Sequence, residues 1–244
     1  MPATQIVEEV RRAFREEPRL GHEFTLDRIA MEGDGALLLE GNVARIAEKK
    51  LALLRAATVP GVTELVDRVH VVVEKPVRHV RSLLGEAFAR DPDFAGFELR
   101  EDVAEGVLAI QFEPVAGSAG NAAGRIDIEE NDGVVTLNGT VPSLVHKRLA
   151  GALAWRVPGV RDVINGITVD PPEQDSPDQL EEAVRTVLDR DRSIEASQVK
   201  VGVRARIVRL TGVLRSVAER ARAEDDAWAV FGTDDVINEI ELAN

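Results

Sequence analysis

One short phrase occurs three times along this chain, and it limits the fold more than any other feature. It reads Leu39-Glu40-Gly41-Asn42-Val43, then Leu137-Asn138-Gly139-Thr140-Val141, then Leu210-Thr211-Gly212-Val213-Leu214, each time behind a strand-like segment. A second glycine follows each phrase at a constant distance of 20 residues: Gly61 and Gly159, both in Val-Pro-Gly-Val, and Gly232 in Val-Phe-Gly-Thr. A spacing that recurs at three places marks internal repetition, in which each copy is one supersecondary unit. The register continues through Val66, Ile164 and Ile237, through Val69, Ile167 and Ile240, and through Val71, Val169 and Leu242. That is the alternation of a strand with one apolar face.

Helices frame these strands. Ile6, Val10 and Phe14 recur at helical spacing ahead of the first phrase, Val77, Val80, Leu84 and Phe88 ahead of the second, and Leu180, Val184 and Leu188 ahead of the third. Ser176, Pro177 and Gln179 supply an N-cap, a first-turn proline and a capping box. The stretches 43–57, 141–155 and 214–228 read as second helices. The predicted fold class is α+β: three tandem small units, each helix-strand-strand-helix-strand, with two helices packed on one face of a three-stranded sheet that could not stand alone. The units are expected at 1–75, 76–172 and 173–244. Gly41, Gly139 and Gly212 are expected to turn the chain sharply from strand into helix, and Gly61, Gly159 and Gly232 to take positive φ after a helix end, making all six structural turns.

The same residues resemble a known family, the BON domain (bacterial OsmY and nodulation). Its hallmarks are a strand ending in a hydrophobic-x-Gly-x-Val step, a helix, and a Val-Pro-Gly-Val turn leading into a V-x-N-x-I-x-V strand. The second unit matches them nearly throughout, from Asp132-Gly133-Val134 to Gly139-Thr140-Val141, through Val157-Pro158-Gly159-Val160, to Val163-Ile164-Asn165-Gly166-Ile167-Thr168-Val169. The first unit has Asp67 where the family asparagine falls, and the third keeps Val236-Ile237-Asn238-Glu239-Ile240 without the proline. The resemblance implies a tandem, non-enzymatic binding or scaffold protein. Family members occur in osmotic and envelope-stress proteins, in phospholipid-binding proteins, and in a potassium-binding protein that also carries a LysM domain. No LysM-like segment is evident here.

The copies also differ. The glycine step of the second unit lies 98 residues after that of the first, and that of the third 73 residues after the second, so about 25 residues are inserted near 95–123. The insertion reads as an added hairpin turning near Glu105-Gly106, followed by the Gly/Ala-rich tether Gly117–Gly124. Val107, Ile110 and Phe112 on it are candidate interface residues, although packing on its own unit is the plainer expectation. The tether lacks the Lys-Ser/Thr of a phosphate loop, and its serine stands in no nucleophile elbow. Arg204, Arg206 and Arg209 fall at and beside the strand turn of the third unit and are a candidate patch for an anionic partner. The plain alternative is that acids of a neighbouring unit or water answer them. Arg222 and Asp225 replace Leu51 and Leu54 of the first unit, so either the last helix rotates to keep Val217, Ala221 and Trp228 inward or these charges meet a partner, rotation or exposure being the plainer expectation. Trp155 and Trp228 are equivalent and read as core or inter-domain wedges. The pairs Asp225-Asp226 and Asp234-Asp235 lack an EF-hand pattern and read as solvated surface.

Composition closes off several functions. Among 244 residues, 30 Lys and Arg stand against 43 Asp and Glu, a net charge of −13 that disfavours general nucleic-acid binding and opposes anionic bilayers. With no cysteine there is no thiol chemistry, and the four histidines share no metal spacing. No catalytic residue, cofactor site or metal site is expected. The expected protein is a non-enzymatic scaffold that contacts a protein partner or itself, with a role in stress or osmotic adaptation implied by the family. Phospholipid and K⁺ are the alternative ligands. With no export signal and no apolar run of membrane length, a cytoplasmic location is expected.

Overall fold

The structure is a computed structural model that describes residues 1–33, 35–73, 77–103, 106–109 and 123–243. It is a mixed α+β protein of three repeats, each with its own small sheet. The chain divides into two compact units, Met1–Val72 and Val73–Asn244. The first holds one repeat and the second holds two.

In the first unit, α1 (Ala3–Glu16) buries Ile6, Val10 and Phe14, which its 3.6-residue period brings to one side. Strand β1 (Arg28–Met31) runs antiparallel to β2 (Ala36–Val43). Helix α2 (Ile46–Ala57) carries the chain over the sheet so that β3 (Glu64–Val71) can lie parallel to β2, a pairing that needs such a crossover. Leu37, Leu39, Val43 and Val69 of the sheet and Ala52 and Ala56 of α2 are all buried, where α2 packs on β2 and β3. Each large aliphatic side chain buried this way stabilises the fold by about 1.5–3 kcal/mol.

The second repeat begins with α3 (Val80–Arg90) and adds to the scheme. Strands β4 (Glu98–Val103) and β5 (Gly106–Ala109) form an antiparallel hairpin, and β4 pairs in parallel with β6 (Arg125–Asn131). The insertion therefore extends the sheet of its own repeat. Val107 lies on β5, whereas Ile110, Phe112 and the Gly/Ala-rich tether up to Ala122 fall outside the described residues. Strand β7 (Val134–Val141) follows β6 through Asp132 and Gly133, both at positive φ (50° and 78°), as a two-residue hairpin turn with the sheet's own twist requires. Helix α4 (Leu144–Arg156) leads to β8 (Asp162–Asn165) and β9 (Thr168–Val169), both parallel to β7.

The third repeat is α5 (Pro177–Arg190), β10 (Val199–Arg204), β11 (Ile207–Leu214), α6 (Val217–Ala229) and β12 (Asp235–Leu242). Its sheet has the order β10-β11-β12, with the first pair antiparallel and the second parallel. One hydrogen bond recurs in all three repeats and sets the third strand beside the second: Thr63, Arg161 and Asp234 donate their N–H to the carbonyls of Gly35, Gly133 and Arg206 at 2.7–2.9 Å.

The glycines of the repeated phrase act differently from the expectation. Gly41, Gly139 and Gly212 sit inside β2, β7 and β11, two residues before those strands end, so the second helices start three residues later than expected. Their φ values of 156°, 115° and 130° belong to a close approach of the first strand. A Cβ on Gly139 would lie 2.2 Å from the Arg125 carbonyl oxygen, and one on Gly212 1.9 Å from that of Gln198. Gly61, Gly159 and Gly232 follow the helix ends at φ 96°, 96° and 95°.

Candidate functional site

Three devices repeat through the chain, and a fourth joins two of the repeats. The first is the family asparagine. Asn165 donates to the Lys147 carbonyl of α4 at 2.7 Å and accepts from the Ile167 N–H at 3.3 Å. Asn238 does the same with Arg220 of α6 and Ile240, at 3.0 and 3.2 Å. Asp67 of the first repeat cannot donate. It accepts from the Val69 N–H at 2.9 Å, and the fully buried ammonium of Lys49 reaches it at 2.8 Å while donating also to the Val69 carbonyl. Lys49 is the positional counterpart of Lys147 and Arg220, so the first repeat replaces a backbone bond by an ion pair at the same place. Repeat alignment exposes the Asn-to-Asp change, but only coordinates reveal the lysine that answers it.

The second device is an acid directly after each first helix. Glu17, Asp91 and Asp191 follow α1, α3 and α5, and each is answered by a guanidinium. Arg19 at 2.8 Å and Arg55 at 2.6 Å hold the Glu17 carboxyl down at about 2, against its burial. Asp191 is also pushed up by burial, yet Arg222 at 2.6 Å and the Ser193 N–H at 2.7 Å hold it well below the usual carboxylate range. Arg222 thus meets an acid in its own repeat. The expected rotation of α6 does not hold Val217 inward: it is 59% exposed, while Ala223, Ala227 and Trp228 are buried.

The third device caps the second helices. Ser143 and Ser216 accept from the backbone N–H groups of His146 and Glu219, as Ser176 does for α5 from Gln179. Glu48 and Glu219 bind back to the Ala44 and Arg215 N–H groups. In the second repeat this position is His146, so Glu173 serves the Leu144 N–H instead, and the His146 ring turns its Nδ1 to the Ser143 hydroxyl at 2.6 Å. Burial against Phe94 and Phe97 lowers the His146 pKa. This Ser-His contact spans one helical turn and reads as a cap.

The fourth is a seam of charge between the second and third repeats, where α4 packs against α5 and α6. Arg148 of α4 is wholly buried; it donates to the Phe231 carbonyl at 3.0 Å and to Asp175. Arg156, at the end of α4, donates to the Val187 carbonyl and to Asp226 of α6 at 3.1 Å. Arg190 of α5 reaches back to Asp91 at 3.1 Å and to Asp93. Lys147 lies over the Phe231 ring, 4.1 Å from its centroid, and burial lowers its pKa. Asp226 corrects the expectation of a solvated acidic pair, since only 3% of it is exposed. An adjacent pair of acids looks like surface in one dimension; α4 of the previous repeat is what covers the second of them.

The candidate arginines lie at the other end of the third repeat. Arg204 ends β10 and is exposed on the outer face of the sheet, beside Ile207. Arg206 stands at the turn, donating to the Gly232 carbonyl at 2.8 Å and pairing with Asp234 at 3.1 Å. That pair reverses the one in the second repeat, where Asp132 at the turn meets Arg161 at 2.9 Å. Arg209 pairs with Glu239 at 2.6 Å on the neighbouring strand. The acids that answer these two arginines belong to the same repeat. Elsewhere in the chain, a cleft of about 460 Å³ open to solvent in the first repeat includes His22, Phe24, Asn42 and Glu48, and another of about 420 Å³ in the second includes His79, Arg81, Glu101 and Glu130. Burial raises the Glu101 pKa, opposed by Arg81. Among the described residues no cluster of three His, Asp or Glu could hold a metal ion, and no helix is long and apolar enough to cross a membrane.

Repeated helix-strand-strand-helix-strand units with conserved turn geometry make this a tandem-repeat α+β protein. The sequence pattern of the BON domain matches residues 2–73, 115–171 and 176–244, and the chain belongs to that family, carrying three copies. No curated protein matches the chain. Two solved structures of CdsD, a structural protein of the type III secretion system of Chlamydia trachomatis, are similar at 14% and 15% identity. They cover 100% and 98% of this chain and 100% and 92% of theirs, each with a TM-score of 0.25.

Proposed function

We propose that the chain is a non-catalytic scaffold that binds a protein partner bearing acidic groups, and that the outer face of the third sheet is its contact surface. One observation carries this reading. The helix faces of the second and third repeats are spent on each other, whereas the opposite face of the third sheet exposes Lys200, Arg204, Ile207, Arg209 and Val213 together on two adjacent strands. The β10–β11 side of that face is cationic and partly apolar, while Glu239 and Glu241 stand on the same face along β12, so it is the β10–β11 edge that suits the acidic groups of a partner. Arg206 and Arg209 are already answered by Asp234 and Glu239, so Lys200 and Arg204 are the residues to test.

The test compares the parent with Lys200→Glu/Arg204→Glu in affinity capture from native lysate, with light scattering to read self-association. Capture of an acidic protein by the parent and at least a tenfold loss in the variant, with unchanged circular dichroism, is the expected result. Equal capture by both removes the face from the proposal. Co-sedimentation with anionic liposomes at physiological salt would replace the protein partner by phospholipid, and a melting curve raised by K⁺ over Na⁺ would replace it by a cation.

A further inference from the structure

Around the end of α4, two guanidinium groups meet three carboxylates. Arg156 enters from α4, and Arg222 stands on α6. Asp191 lies at the end of α5, Asp226 faces Arg156 from α6, and Asp225, its neighbour on the same helix, adds its charge to Arg222. Asp226 lies 3.1 Å from Arg156 and 3.9 Å from Arg222. Each guanidinium also has a second acceptor, Val187 O for Arg156 and Asp191 for Arg222, so neither depends on Asp226 alone. Asp191 accepts two short hydrogen bonds and is the acid suited to stay ionised. Asp226 is deeply buried and accepts from Arg156 alone at hydrogen-bond distance, which suits it to take a proton.

We propose that the joint between the second and third repeats is proton-linked: Asp226 is carried neutral when α4, α5 and α6 are closed on each other and ionises as they part, so that acidification below neutrality tightens the joint. Burial pushes the Asp226 carboxyl up to about 7, against the pull of Arg156 and Arg222, from an ordinary 3.8. A carboxyl raised in the folded state contributes stability that is fully present below its ordinary value and is lost as pH rises through its folded value. The window therefore runs from 3.8 to about 7. Above it the joint holds Asp226 as a deeply buried, ionised carboxylate, whose desolvation Arg156 and Arg222 offset only in part.

The experiment follows urea unfolding of the full chain by tryptophan fluorescence between about pH 5.5 and 8.5, since both tryptophans, Trp155 and Trp228, lie in the two-repeat unit. His146, which faces Asp93 and Glu173, also titrates in acid, so the difference between the parent and Asp226→Asn is the quantity read. The parent's unfolding equilibrium constant is expected to rise roughly tenfold more than the variant's from pH 5.5 to 8, and at pH 8 Asp226→Asn is expected to be the more stable protein. Equal slopes, or a variant less stable at every pH, overturn the proposal. Should the variant not fold, carbon-13 NMR of the parent's aspartate carboxyls decides. A carboxyl titrating near neutrality and assigned to Asp226 supports the proton-linked joint, and titration of Asp226 below about 4 refutes it.

Discussion

At the scale of single residues, repetition supplies internal controls, because one position is solved three times with different chemistry. Asn165 and Asn238 hold a helix carbonyl, and Asp67 holds the buried ammonium of Lys49 in their stead. Restoring the family residue alone should therefore harm the first repeat. Asp67→Asn leaves a buried charge without its counter-ion, a loss of about 3 kcal/mol when one partner of such a pair is removed. Lys49→Met together with Asp67→Asn returns the site to the design of the other repeats and is expected to recover most of that loss. Hydrogen exchange of the first-repeat amides in the two single variants and the double variant reads the coupling directly, and additive losses would contradict the pairing.

At the scale of elements, the hairpins show how much a turn can deviate while its register persists. Strands β6 and β7 join through Asp132-Gly133, whereas β10 and β11 join through Ala205-Arg206, held at φ 48° and 63° with no glycine to ease them. Side chains other than glycine, asparagine and aspartate cost about 1 kcal/mol or more in that region. Arg206 offsets this by tying the turn to the Gly232 carbonyl and Asp234. Replacing Ala205-Arg206 by Asn-Gly is expected to stabilise the third repeat by about 1 kcal/mol net of those lost contacts, seen as a higher urea midpoint with an unchanged slope. Element order was legible from the paired glycines because their demands are local: a positive φ or a backbone approach leaves its mark at one position. The same locality leaves the roles of Gly41, Gly139 and Gly212 ambiguous in sequence, since a close approach to a preceding strand and a sharp exit into a helix ask for the same residue. Arg148, Arg156 and Asp226 gave no such signal. Their importance depends on which helix faces which, and no periodicity within one repeat encodes that.

For the whole molecule, the seam makes the second repeat depend on the third. Helix α4 buries Arg148, Ala150, Gly151 and Ala154, and Gly151 runs close to the Ala229 carbonyl of α6. A chain ended after residue 172 would lose Asp175, Asp226 and the Phe231 and Val187 carbonyls, leaving Arg148 and Arg156 without their partners. Such a truncation is expected to lower the urea midpoint read by Trp155 fluorescence, by about 3 kcal/mol or more in stability, and to promote aggregation through the bared face. An unchanged midpoint would mean that the seam contributes nothing to the second repeat.

The asymmetry of that seam also bears on how such chains lengthen. The positions of Arg148 and Arg156 are held by Lys50 and Thr58 in the first repeat and by Ala221 and Ala229 in the third. A gene duplication that copied the third repeat behind itself would present a fresh set of acids to two alanines. The newcomer would hang as a loose bead, and growth into a continuous rod would first require arginines to evolve on the helix it meets.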